Sequence, residues 1–144
     1  MANVIYRGPV SDQPQTITLP VAGAYLPGVL VIASATTLTV ATGADNEGAL
    51  HVLGNAEFLG QDVATAYASG DTGVAYEPKP NETYQVRLAT ATYAKGDLLT
   101  VGASGYLVAA TTGDVVYARF EGTPGAISAG ALADVKIANS FVAA

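Results

Sequence analysis

His51 is the one histidine of the chain, and there is no cysteine. A zinc site or a catalytic triad needs histidine beside carboxylates, thiolates or a nucleophile. His51 instead lies in the run ALHVL, flanked by Leu50 and Val52, with no HxH or HExxH spacing. It reads as a structural or surface residue. The carboxylates fall singly along loops, at Asp12, Asp45, Glu47, Asp62, Asp71, Asp97, Asp114 and Asp134. Asp45-Asn46-Glu47-Gly48 has a trace of a calcium loop. It lacks the alternating acidic spacing and terminal glutamate of a calcium hand. Gly102-Ala103-Ser104-Gly105 sets a serine among small residues. A nucleophile elbow needs a strand before it and a helix after it, and this stretch is a hairpin turn. A glycosidase pair of carboxylates could be assembled only by the fold. The expectation is no catalytic residue, no metal ligand and no cofactor.

The bulk composition points the same way. Half of the 144 residues are hydrophobic and only 12% are charged. That is too apolar for a disordered chain, and about half the charge of an ordinary soluble domain. Such a chain either hides surface against neighbours or covers it with Thr, Ser and Gly. The net charge is −6, and the six basic residues are scattered at Arg7, Lys79, Arg87, Lys95, Arg119 and Lys136. Direct nucleic-acid binding needs clustered basic residues, so none is expected. No stretch approaches the roughly 20 apolar residues of a membrane helix. Residues 29–35 are too short for a signal core, and MANVIYRGPV lacks a signal pattern. The chain is expected to be made in the cytoplasm and to stay soluble until it assembles.

The elements that position these residues read as short strands. Residues 1–15, with Gly8, Pro9 and Pro14, form an extended arm. Its Val4, Ile5 and Tyr6 either fold back on their own domain or lie on a neighbouring subunit. The remainder, 16–144, reads as one compact antiparallel β domain, a barrel or sandwich. Strands are expected at 16–19, 29–33, 36–41, 49–53, 72–76, 83–89, 98–101, 106–109, 115–120 and 133–138, with another at 56–59. Residues 61–69 are either a short helix or an irregular connection. In 83–89, Tyr84, Val86 and Leu88 form one face, and Gln85 and Arg87 the other.

A faint repeat runs through the chain. YLPGVLVIASATTLTVA from Tyr25 aligns without a gap on YAKGDLLTVGASGYLVA from Tyr93, and AYASGDTGVAYE from Ala66 resembles AISAGALADVKI from Ala126. Either two related β units, 25–76 and 93–137, pack together, or these are two ordinary hairpins.

TYAKGDLLTVGASGYLVAATTGDVVYARFEG, followed by GALADVKIA, resembles the capsid decoration, or cement, proteins of tailed bacteriophages. The likeness lies in the KGD turn, the ASGYLV crossing, the strand Val116-Tyr117-Ala118-Arg119-Phe120-Glu121 and the terminal Val135-Lys136-Ile137. It covers about the last third of the chain. The arm and the Pro78-Lys79-Pro80 connection lie outside it.

The resemblance implies a non-enzymatic protein of the virion. It would sit on the outside of an expanded icosahedral head, commonly as a homotrimer, clamping neighbouring major capsid subunits. The contact residues then expected are Val4, Ile5, Tyr6, Arg7 and Val10 of the arm, with Tyr117 and Arg119 of the third strand of that stretch. The alternative is a head-fibre or a receptor- or carbohydrate-binding module, with Tyr67, Tyr76 and Tyr84 as a sugar platform or, more simply, as core and interface aromatics.

Overall fold

The computed structural model describes residues 4–11, 13–43 and 49–144. Within them the protein is all-β, with strands in multiple antiparallel sheets and no helix of seven residues or more. The strands are β1 (Tyr6–Gly8), β2 (Thr16–Pro20), β3 (Leu30–Ala33), β4 (Leu38–Val40), β5 (Leu50–Gly54), β6 (Thr72–Tyr76) and β7 (Thr83–Leu88). They continue with β8 (Ala91–Tyr93), β9 (Leu98–Val101), β10 (Leu107–Ala109), β11 (Val115–Phe120), β12 (Gly125–Ile127) and β13 (Ala131–Val142).

Two rings of five strands organise the chain. The first runs β2-β6-β5-β3-β4 and is closed by a parallel bridge between Val21 and Leu38. The second runs β7-β13-β11-β9-β10 and is closed by a parallel pairing of Leu107 with Leu88. The order of pairing is the same in both, and so is the register. Val31 faces Val40 as Leu99 faces Ala109. Val31 faces His51 as Leu99 faces Ala118. Leu53 faces Ala75 as Phe120 faces Val135, and Thr16 faces Tyr76 as Thr83 faces Lys136. At the closure, Ala22 N donates to Leu38 O and Ala89 N to Leu107 O, each at 2.9 Å.

This register corrects the gapless alignment at one point. Leu38 corresponds to Leu107, not Tyr106, because the loop after β9 holds one residue more than the loop after β3. Side chains alternate with a period of two, so the extra residue keeps the return strand's apolar set facing inward.

Equivalent positions fill the two interiors. Val21, Val31, Leu38, Leu53 and Ala75 cluster in the first ring. Leu88, Leu99, Leu107, Phe120 and Val135 cluster in the second, where Tyr93 stacks on Phe120 at 5.5 Å. Leu30, Leu50 and Val52 point out of the first ring and join the second ring's cluster, so β3 and β5 are covered on both faces. That double coverage is why their sequences are continuous apolar runs rather than alternating ones.

The same seam changes the reading of β7. Gln85 and Arg87 do face away from Tyr84, Val86 and Leu88, but they are only 2% and 8% exposed. Arg87 passes under the first ring. Its Nε donates to Pro27 O at 2.7 Å, Nη1 to Gly130 O at 2.7 Å and Nη2 to Val63 O at 2.5 Å. Burial pulls its pKa below the ordinary guanidinium value.

One other expectation differs. Residues 57–59 form a 3-10 turn, not a strand. Of the two readings left open for residues 61–69, the irregular connection is the one present. Strand β11 ends at Phe120, and Gly125–Ile127 beyond it pairs with Ala91–Tyr93 as a separate ribbon.

Candidate interaction surface

The arm docks on its own domain. Tyr6 pairs with Tyr84, and Gln85 N donates to Ile5 O at 2.7 Å. Ile5 is fully buried in the second ring's cluster, so as a contact residue it offers no surface. Tyr6 packs against Tyr84 at 5.2 Å and Tyr76 at 6.1 Å, and its hydroxyl donates to Pro9 O. Arg7 pairs with Asp134 at 3.2 Å. Val4 and Val10 stay exposed, Val10 at 83%, and share a groove with Gln13, Tyr76 and Glu57.

Glu57 opens the 3-10 turn Glu57–Leu59, which presents the largest exposed apolar side chains of the first ring. Phe58 is 74% exposed and Leu59 76%. The turn is braced from beneath. Asn55 Nδ2 donates to Gln61 O and Gln61 Oε1 accepts from Ala56 N, both at 2.7 Å. Gln61 Nε2 donates to Thr65 O at 2.9 Å, and Tyr67 OH to Gly54 O at 2.6 Å. Gly60 closes the turn in the left-handed region at φ 76°. A pair of large apolar residues held outward by a carboxamide network is a presented feature, not a frayed loop. Its sequence signal was the Asn55…Gly60-Gln61 frame, which an apolar reading of 56–59 as strand passes over.

The other expected contact residues lie elsewhere. Tyr117 is half-buried, and its hydroxyl donates to Leu50 O at 3.3 Å across the seam. Desolvation pushes its pKa above the ordinary phenol value. Arg119 is exposed and lies 5.5 Å over the Phe141 ring, beside Lys136. The structure therefore gathers Val4, Tyr6, Arg7 and Val10 in one groove and leaves Tyr117 and Arg119 apart from it.

Tyr117 lines a second groove with His51, Glu77, Pro78 and Asn139. His51 Nε2 is 3.7 Å from Glu77 Oε1, while its Nδ1 is buried and unpartnered among the described residues. One histidine and one carboxylate at that distance make a weak ion pair at most. Among the described residues no three His, Cys, Asp or Glu side chains gather as a metal site. Asp45-Asn46-Glu47-Gly48 lies outside the described residues. Ser104 is in the β9–β10 hairpin loop, at φ 59°. Of the tyrosines read as a platform, Tyr67 and Tyr84 are buried, and Tyr76 is half-buried against Tyr84 at 5.8 Å. They are core aromatics.

Charge is divided unevenly along the sequence. Residues 16–76 contain Asp45, Glu47, Glu57, Asp62 and Asp71 but no lysine or arginine, so five of the six net negative charges lie in that segment of the sequence.

Comparison with protein-family models and with curated protein sequences finds no match for this chain.

Proposed function

We propose that the protein is a non-enzymatic assembly component that binds the outer surface of an icosahedral phage head and clamps neighbouring major capsid subunits. The observation that carries this reading is the braced, exposed pair Phe58 and Leu59. It is supported by the scarcity of charge and by the resemblance of the β9–β10–β11 unit to decoration proteins. In that unit Ala94 N donates to Asp97 Oδ2 at 2.8 Å to close the Lys95-Gly96-Asp97 turn.

Burying Phe58 and Leu59 is worth about 4 kcal/mol before association costs. Repeated over a shell, contacts of that size resist the outward pressure of packaged DNA. The reading includes a homotrimer as the bound form and the virion surface as the location. The buried Tyr67 and Tyr84 leave the carbohydrate alternative without its platform.

Co-sedimentation with expanded heads that lack any decoration tests the proposal. The wild-type protein binds saturably, and a Phe58→Ser/Leu59→Ser variant with an unchanged melting temperature binds at least tenfold more weakly. Wild-type protein that stays in the supernatant overturns it.

A further inference from the structure

The two rings share a pairing scheme but not the state of one edge. In the second ring, Tyr84, Val86 and Leu88 pair with β13, and the alternate backbone groups of β7 face outward. That outer edge is occupied: Gln85 N donates to Ile5 O at 2.7 Å and Arg87 N to Gly28 O at 2.9 Å. Strand β1 thus lies antiparallel on β7, in the gap where β10 has splayed away.

In the first ring the corresponding strand is β2. Thr16 and Thr18 correspond to Thr83 and Gln85, and Pro20 to Arg87, by the shared register with β6 and β13. Glu77 N donates to Gln15 O and Val21 N to Asp71 O, so Ile17 and Leu19 bond to β6 and Thr16 and Thr18 face outward. Among the described residues no strand pairs with that outer edge. Thr16 and Thr18 are exposed, where their counterparts in β7, Thr83 and Gln85, are half-buried and buried. Pro20 has no N–H to offer, which limits the open stretch to the length that β1 spans on β7.

The occupant cannot be the arm of a second copy without emptying that copy's own β7 edge, which gains no net pairing. It must bring a free strand of its own. Among the described residues of 16–76 the charged side chains are Glu57, Asp62 and Asp71, with no basic residue, so a basic segment is favoured. We propose that the outer edge of β2, at Thr16 and Thr18, receives an extended basic segment of a partner polypeptide as an added antiparallel strand. This does not depend on the partner being a phage shell.

The test uses the full chain and three synthetic peptides: one alternating lysine with threonine, its glutamate counterpart, and the lysine peptide N-methylated at every second residue. Amide hydrogen exchange is followed residue by residue. The lysine peptide slows exchange at Thr16 and Thr18 saturably, at least tenfold at Thr18, and the other two do not. Equal protection by the N-methylated peptide would show charge adsorption without strand addition and overturn the proposal. So would equal protection by the glutamate peptide, or no protection by any. A Thr18→Pro variant that keeps the wild-type melting temperature loses the effect at Thr16, the amide that remains. If it retains the effect, the strand is not on this edge.

Discussion

Arg87 holds the backbone carbonyl of Pro27 at 2.7 Å from its Nε, joining the second ring to the turn that opens β3 in the first. Two further carbonyls, Gly130 and Val63, complete its shell. Among the described residues the buried guanidinium meets neutral acceptors, so its charge is spread over three carbonyl dipoles rather than matched by a carboxylate.

Arg87→Met keeps the apolar stem and removes every donor. Three buried carbonyls then lose their partners, and stability should fall by about 3 kcal/mol in chemical denaturation. Arg87→Lys recovers part of that loss, because an ammonium cannot span three divergent acceptors. A loss below about 0.5 kcal/mol for Arg87→Met, the size of an ordinary surface change, would contradict the clamp.

Gly28 and Gly96 are equivalent turn glycines at φ 95° and 88°. A Cβ at Gly96 meets nothing within 4 Å, whereas one at Gly28 comes within 2.5 Å of Leu132 Cδ2 and 3.4 Å of Arg87 Cγ. Both alanine variants carry the left-handed penalty of about 1 kcal/mol. Gly28→Ala should lose at least about 1 kcal/mol more, for the disturbed seam. Equal melting temperatures for the two variants would mean that the rings are not packed against each other at Gly28.

Ile5→Ala should cost about 3 kcal/mol, the range of a large-to-small change in a sealed core. The extended arm is thus part of the fold, and deleting residues 2–15 should lower the melting temperature rather than leave it unchanged. Thermal melts of the full-length and arm-deleted proteins check this.

Tyr67, Tyr76, Tyr84, Tyr93 and Tyr117 all have pKa values raised above 10.0, with burial the largest cause. The folded state holds these protons more tightly than the unfolded state. Stability from this source is complete below pH 10 and falls as pH rises above it. Phenolate absorbance should therefore lag behind free tyrosine and rise together with loss of the β circular dichroism signal. Titration of all eight tyrosines near pH 10 with the fold intact would contradict their burial.

Much of this fold was legible in residues. The alternation in 83–89 and the apolar runs at 29–33 and 98–101 marked strands that the structure contains. The likeness of the two turns was visible in Gly28 and Gly96, since both need a residue that tolerates positive φ. Ring closure was not visible, because Val21 with Leu38 and Leu88 with Leu107 are single parallel contacts that no hairpin turn signals. Nor was the role of Arg87. A lone arginine between Val86 and Leu88 reads as the solvent face of a strand until another layer covers it. Phe58 and Leu59 were hidden for the opposite reason: apolar residues in a short run suggest burial, and only the bracing carboxamides turn them outward.

The most direct test is light scattering on the purified protein, alone and with undecorated expanded heads. The account predicts a defined oligomer, a trimer, that adds to the heads up to a saturating mass in multiples of three. A protein that leaves the mass of the heads unchanged at every concentration would contradict it.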